Sequence, residues 1–263
     1  MIKEISMPYA NNNKVQLYYE VHGPKEARET IVFAHGAGGN ALSWWQQIPE
    51  FSNTHRVIVF DHRGFSRSVC DESDQSAIHF ESDLIAILDA ESIERVTIVC
   101  QSMGGWTGVR TAVNYSQRVN AVLLGNTPGA IVNDQVQSNW KELTRRIEEG
   151  GGLVNRAVSS KFVEMHPERA LLYQQISSIN ESARPNLRDE GVGISPAQVT
   201  ESDIPFLVLA SDQDPLFPPD VLASVATDIQ AQYVRINGAG HSTYFEKPEA
   251  FNAVLAEFLR KTS

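Results

Sequence analysis

The run Cys100-Gln101-Ser102-Met103-Gly104-Gly105 sets a serine between small residues two positions before and two after it. It follows a β-branched run, Val96-Thr97-Ile98-Val99, and opens a helical pattern. A corner of this kind strains the serine backbone and lifts its hydroxyl above the end of a strand, where it can attack as a nucleophile. Gly104 meets the requirement for a small residue after the serine; Cys100 stands where glycine is usual. The competing reading is a serine that simply caps a helix, so the motif needs partners.

Two further segments supply them. His35-Gly36-Ala37-Gly38-Gly39 follows the run Thr30–Ala34. A glycine-rich turn there can aim backbone N–H groups at a developing oxyanion, together with the N–H of Met103. A phosphate cradle would need G-x-G-x-x-G or a closing Lys-Ser/Thr, and neither is present. Gly238-Ala239-Gly240-His241-Ser242 carries a histidine on a flexible loop between the last strand run and the final helix, suited to take a serine proton. His35 and His62 also stand at strand ends, but chain order favours His241. The acid that orients such a base is sought between serine and histidine. Ser211-Asp212-Gln213-Asp214-Pro215 offers two: Asp214, held extended before proline, is preferred and Asp212 is the alternative. The strand end near Asn126 is another place for an acid, but asparagine carries no charge.

The elements that must carry these residues are short runs of successive apolar residues: Thr30–Ala34, Arg56–Phe60, Val96–Cys100, Ala121–Leu124, Pro205–Ala210 and Gln232–Ile236. Continuous rather than alternating hydrophobicity points to strands covered on both faces. Val15–Val21 alternates and reads as an edge strand. Helical patterns intervene near residues 43–51, 79–92, 103–116, 218–228 and 247–261. The fold class is therefore α/β, a mostly parallel, doubly wound sheet. Residues 131–199 break the alternation. They hold helix-like segments, Trp140–Glu149 and Pro167–Ile179, punctuated by Gly150-Gly151-Gly152 and Ser182-Ala183-Arg184-Pro185. That length exceeds a plain loop, and predicts a helical cap inserted into a core formed by residues 1–130 and 200–263.

Taken together, the His-Gly loop, Asp61-His62-Arg63-Gly64-Phe65-Ser66, the Ser102 corner, the insertion, and Asp214 and His241 in that order make the chain resemble the α/β-hydrolase superfamily from end to end. The resemblance implies Ser102 as nucleophile, Asp214 and His241 as its partners, the Ala37 and Met103 amides as oxyanion donors, and a structural role for the Asp61–Ser66 turn. It implies acyl transfer to water through an acyl-enzyme, with no metal or organic cofactor. Dehalogenases and epoxide hydrolases of this fold use an aspartate nucleophile, unlike Ser102. The Ser-Met-Gly-Gly corner is similar to those of enol-lactone hydrolases and of meta-cleavage carbon–carbon hydrolases. The latter carry a tryptophan after the histidine, where Ser242 stands here. A small or medium carboxylic ester or lactone is thus the expected substrate. Carbon–carbon hydrolysis, a perhydrolase activity or a slow-turnover small-molecule receptor are the alternatives. Trp44, Trp45 and Phe217, close after strand-end loops, are the expected pocket residues.

Composition narrows the partners. A net charge of −10 without a basic run argues against nucleic acid and anionic membrane surfaces. No apolar run approaches the length of a membrane helix or a secretory leader. Cys70 and Cys100 read as reduced thiols, which together with the absent leader points to the cytoplasm.

Overall fold

The computed structural model describes residues 8–148, 157–180, 183 and 185–262. Eight strands form one sheet: β1 (Tyr9–Asn12), β2 (Val15–His22), β3 (Thr30–Ala34), β4 (Arg56–Phe60), β5 (Val96–Gln101), β6 (Val119–Gly125), β7 (Phe206–Ser211) and β8 (Gln232–Ile236). The helices are α1 (Ile48–Phe51), α2 (Phe80–Ala90), α3 (Gly104–Asn114), α4 (Asp134–Glu148), α5 (Ser160–Met165), α6 (Pro167–Ser178), α7 (Pro196–Glu201), α8 (Pro219–Asp228), α9 (Thr243–Glu246) and α10 (Pro248–Thr262).

The strand order is β1-β2-β4-β3-β5-β6-β7-β8. β2 runs antiparallel to both β1 and β4, and every pairing from β4 through β8 is parallel. The chain leaves β3 outward to β4, then returns to the other side of β3 for β5. Connections therefore diverge between β3 and β5, and in open parallel sheets a crevice opens at the strand C-termini where this happens. The loop after β3 and the Ser102 corner after β5 both sit there.

All residues of β3, β4, β5 and β7 are buried, which explains why those strands read as unbroken apolar runs. Alternate side chains feed two cores, as the two-residue period of a strand requires. Val32, Ile58 and Ile98 join Leu84 of α2, Val109 of α3 and Leu222 of α8 on one face. Ile31, Val57 and Val99 join Trp44 and Phe251, Leu255 and Phe258 of α10 on the other.

Two expectations need correction. β2 is not the edge, because Tyr9–Asn12 pairs outside it as β1; a four-residue strand ending in two asparagines has no apolar pattern to betray it. α4 starts at Asp134 rather than Trp140, since Asn133 Oδ1 accepts the Val136 N–H and caps the helix earlier. Between β6 and β7 the described residues form α4 to α7 and pair with other strand-like residues only as isolated bridges, Ile131 with Ile194 and Asn186 with Ser76. Gly150-Gly151-Gly152, Ser182 and Arg184 lie outside the described residues. Among the described residues no helix is long and apolar enough to cross a membrane.

Candidate active site

Ser102 stands between β5 and α3 with φ of +49°. A non-glycine residue pays about 1–2 kcal/mol for the left-handed region, so the surroundings must hold it. The Ser102 N–H donates to the Gly125 carbonyl at 3.1 Å and its carbonyl accepts from the Gly105 N–H at 2.9 Å. Only glycine fits two positions later: a Cβ on Gly104 would lie 2.1 Å from the carbonyl oxygen of Ala34. A Cβ on Gly108 would come 2.4 Å from the Cys100 sulfur. The sulfur at position 100 thus fills room that the α3 glycine leaves. Cys100 is fully buried, and burial pushes its thiol pKa up.

The β3 loop lies against this corner. A Cβ on Gly36 would sit 3.0 Å from Ser102 Cβ and 2.0 Å from Gln101 Oε1, so the backbone at Gly36, one residue before Ala37, runs beside the serine. His35 shapes the turn. Its Nε2 accepts from the His62 N–H at 2.9 Å, which leaves Nδ1 to donate to the Gly36 carbonyl at 2.8 Å. That is one neutral tautomer, and burial keeps it neutral by lowering the His35 pKa to about 4. Beneath it, Asp61 accepts the Ala41 and Arg67 N–H groups and the Arg67 side chain at 2.7 and 3.0 Å. The Asp61–Ser66 turn thereby braces the loop from below.

Asp214 and His241 meet across the loops after β7 and β8. The imidazole Nδ1 lies 3.1 and 2.9 Å from the two carboxylate oxygens. Asp214 Oδ1 also accepts from the Leu216 and Phe217 N–H groups at 2.8 and 3.1 Å, and Oδ2 from Asn126 Nδ2 at 3.1 Å. Asp212 points elsewhere, accepting the Gly238 N–H at 2.6 Å and shaping the histidine turn. With Nδ1 engaged as donor, His241 Nε2 is left buried without a hydrogen-bond partner. Gln101, the residue before the serine, donates its side-chain amide to the His241 carbonyl at 3.2 Å. One glutamine side chain thus lies against the Gly36 turn and ties in the backbone of the histidine loop.

The expected pocket residues divide. Trp44 is fully buried, its ring 4.8 Å from Phe33 and 4.6 Å from Tyr244. It belongs to the core under β3 rather than to a pocket wall, because the short helical turn that carries it folds back on the sheet. Trp45, one residue on, faces outward, 41% exposed and edge-on to Phe245. Phe217 does reach the site, its ring 5.9 Å from the His241 imidazole and 5.4 Å from Trp140. A groove of about 590 Å³ lined by Trp106, Ile131, Trp140, Lys141, Leu187 and Arg188, among others, has neither Ser102 nor His241 in its wall.

Several residues escaped sequence reasoning. Gln101, Ser211, Asn126 and Glu246 all hydrogen-bond the acid and histidine loops. Tyr173 of α6 brings its hydroxyl to 3.0 Å from Ser242 Oγ, and a Cβ on Gly38 would lie 3.3 Å from that hydroxyl. Only Asn126 gave a signal, as a polar residue at a strand C-terminus.

Comparison with known proteins gives a consistent picture. The sequence model of the alpha/beta hydrolase fold matches residues 29–248. A 3-oxoadipate enol-lactonase of Acinetobacter baylyi is 27% identical, over 94% of this chain and 94% of its own. RutD of Azorhizobium caulinodans, named for carbamate hydrolysis, is 26% identical over 96% of this chain and 98% of its own. Among solved structures, Est816, described as an N-acyl homoserine lactone degrading enzyme, superposes with a TM-score of 0.79 at 26% identity, covering 95% of this chain and all of its own.

Proposed function

The chain belongs to the alpha/beta hydrolase fold family, and from that membership we propose that it is a serine hydrolase cleaving a small or medium carboxylic ester or lactone. The observation that carries this reading is the state of His241: Nδ1 is fixed by Asp214 while Nε2 is buried without a hydrogen-bond partner, and Gln101, the residue before Ser102, donates to the His241 backbone carbonyl. An imidazole so held can accept a proton only at Nε2.

In the proposed reaction Ser102 Oγ attacks the carbonyl carbon as its proton passes to His241 Nε2. The carbonyl oxygen takes the negative charge and accepts from the Ala37 and Met103 N–H groups; one such donor is typically worth about a hundred- to a thousandfold in rate. Asp214 stabilises the imidazolium. As the tetrahedral centre collapses, the C–O bond to the alcohol breaks and Nε2 protonates the departing oxygen, leaving an ester on Ser102. Water, deprotonated by His241, then attacks this ester and releases the acid. In a lactone the leaving oxygen stays tethered, and the product is a hydroxy acid. The helices α4 to α6 serve in this reading as a cap, with Phe217, Trp140 and Tyr173 supplying apolar surface and a hydroxyl near the histidine. The relatives named for lactone hydrolysis favour the ester or lactone class.

The test is turnover of p-nitrophenyl acetate through octanoate and of simple lactones by wild type and Ser102→Ala, with folding checked by circular dichroism. Turnover confined to wild type supports the reading. If fluorophosphonate labels Ser102 but no ester or lactone is consumed, the substrate class is wrong, and carbamates and vinylogous diketones are to be tried. If Ser102 is not labelled, the nucleophile assignment fails.

A further inference from the structure

Glu246, at the end of α9, is only 4% exposed, and nothing in the proposed reaction uses it. A carboxylate removed from water requires donors, and its donors identify what it holds. Oε1 accepts the Gly240 N–H at 2.9 Å and the Ser159 N–H at 3.1 Å, and Oε2 accepts the Ser159 hydroxyl at 2.6 Å. The Glu246 carboxyl pKa is raised, by burial first and also by the Asp214 charge, and the bonds from Ser159 and Gly240 offset only part of the rise. The approach is tight: a Cβ on Gly240 would lie 2.8 Å from Glu246 Oε1 and 2.8 Å from the Ser159 nitrogen.

Gly240, the residue before His241, is gripped at both ends. Glu246 takes the Gly240 N–H, while the Gly240 carbonyl accepts from Ser211 Oγ at 2.6 Å. Ser211 Oγ accepts in turn from Asn126 Nδ2 at 2.7 Å, and the same Nδ2 donates to Asp214. A chain of hydrogen bonds thus runs from Glu246 through the histidine loop to the acid. Ser159 adds a second link, because its hydroxyl is the N-cap of α5, accepting the Phe162 N–H at 3.2 Å. One carboxylate therefore joins the first turn of α5 to the residue next to His241.

We propose that Glu246 is a positioning residue, whose buried carboxylate locks the Gly240–His241 segment in register with Asp214 and couples it to the α5 terminus through Ser159. The proposal rests on the reading of Ser102 and His241 as nucleophile and base. Glutamine in place of Glu246 keeps an acceptor for both N–H groups and a donor for the Ser159 hydroxyl, whereas alanine keeps nothing. Aspartate retains the charge but withdraws it by one methylene.

The experiment follows two readouts in wild type, Glu246→Gln, Glu246→Ala and Glu246→Asp: the downfield proton resonance of His241 Nδ1–H, and the rate at which fluorophosphonate labels Ser102 per folded molecule. The expected result is a broadened or lost resonance and labelling slowed about tenfold or more in the alanine variant, since an ångström of misplacement can cost a hundredfold. Glutamine should restore both. If the alanine variant does not fold, aspartate decides, with the same loss expected. Wild-type resonance and labelling in both alanine and aspartate variants overturns the proposal, as does glutamine being as impaired as alanine. If Ser102 is unlabelled even in wild type while the resonance still depends on Glu246, the serine hydrolase reading fails and the positioning role stands.

Discussion

Asn126, at the end of β6, donates its side-chain amide to the carboxylate of Asp214, at the end of β7, across 3.1 Å. The contact is buried, and Asn126 holds φ of +55° to make it. Asn126 occupies the strand end where an acid was also conceivable, and serves the acid on the neighbouring strand.

Asn126→Gly should therefore slow ester turnover by about ten- to a hundredfold, the worth of a hydrogen bond to a charged group. Glycine tolerates the positive φ, so the loss reports the amide and not the backbone. A kcat equal to wild type would show that Asp214 needs no such partner.

Asp214→Asn should cost much more, about ten-thousandfold in kcat, by leaving the imidazole in the wrong tautomer. Asp212→Asn serves as the control, because Asp212 accepts from the Gly238 N–H instead of from His241. Equal losses in the two variants would sink the assignment of Asp214 as the orienting acid.

Gly104→Ala should be strongly destabilised. The added methyl would meet the Ala34 carbonyl at 2.1 Å, and backbone on both sides cannot yield as a side chain could. Overpacking typically costs about 1–3 kcal/mol, and here the upper end or beyond is expected by urea denaturation. A variant as stable as wild type would mean that α3 can slide away from β3.

Trp44→Ala distinguishes core from pocket. Emptying a site between Phe33 and Tyr244 should cost about 3–5 kcal/mol of stability, with KM for short esters unchanged. A raised KM with stability intact would return Trp44 to the substrate.

Acid should weaken the fold through His35. Its folded pKa of about 4 lies below the ordinary 6.5, so the unfolded chain binds the proton first. The stability it lends is complete above pH 6.5 and is lost as the pH falls toward 4, about 3 kcal/mol in all. His62, likewise held down by burial and then by His35, acts in the same direction. Between pH 6.5 and 4.5 the unfolding free energy of His35→Gln should fall less steeply than that of wild type; parallel slopes would remove His35 as the cause.

How much was legible in the sequence depended on whether a residue's neighbours were local. The Ser102 corner, the His35–Gly39 turn and the acid and histidine loops are contiguous motifs whose conformation is set by their own glycines and by the strand before them. The parallel strands advertised their burial directly, since Thr30–Ala34 has no polar face to show. β1 had no pattern, being a four-residue strand that is held by distant partners, β2 beside it and α2 through Asn12 to Ser82 and Asp83. Trp44 and Trp45 could not be told apart, because adjacency in sequence says nothing about which side of a helical turn meets the sheet. Glu246 was invisible for another reason: its partner Ser159 is 87 positions away, and a single glutamate in a final helical region looks like solvated surface.

The strand order has a temporal consequence. The imidazole arrives with β8, the last strand in chain order and the outermost on its side of the sheet, and Gln101 waits 140 positions for the carbonyl it holds. A chain that stops before β8 therefore contains Ser102 and the turn after β3 but not His241, the proposed base. In the proposed reaction such a chain holds the nucleophile without its base, and the expected consequence is that a fragment ending before β8 turns over no ester.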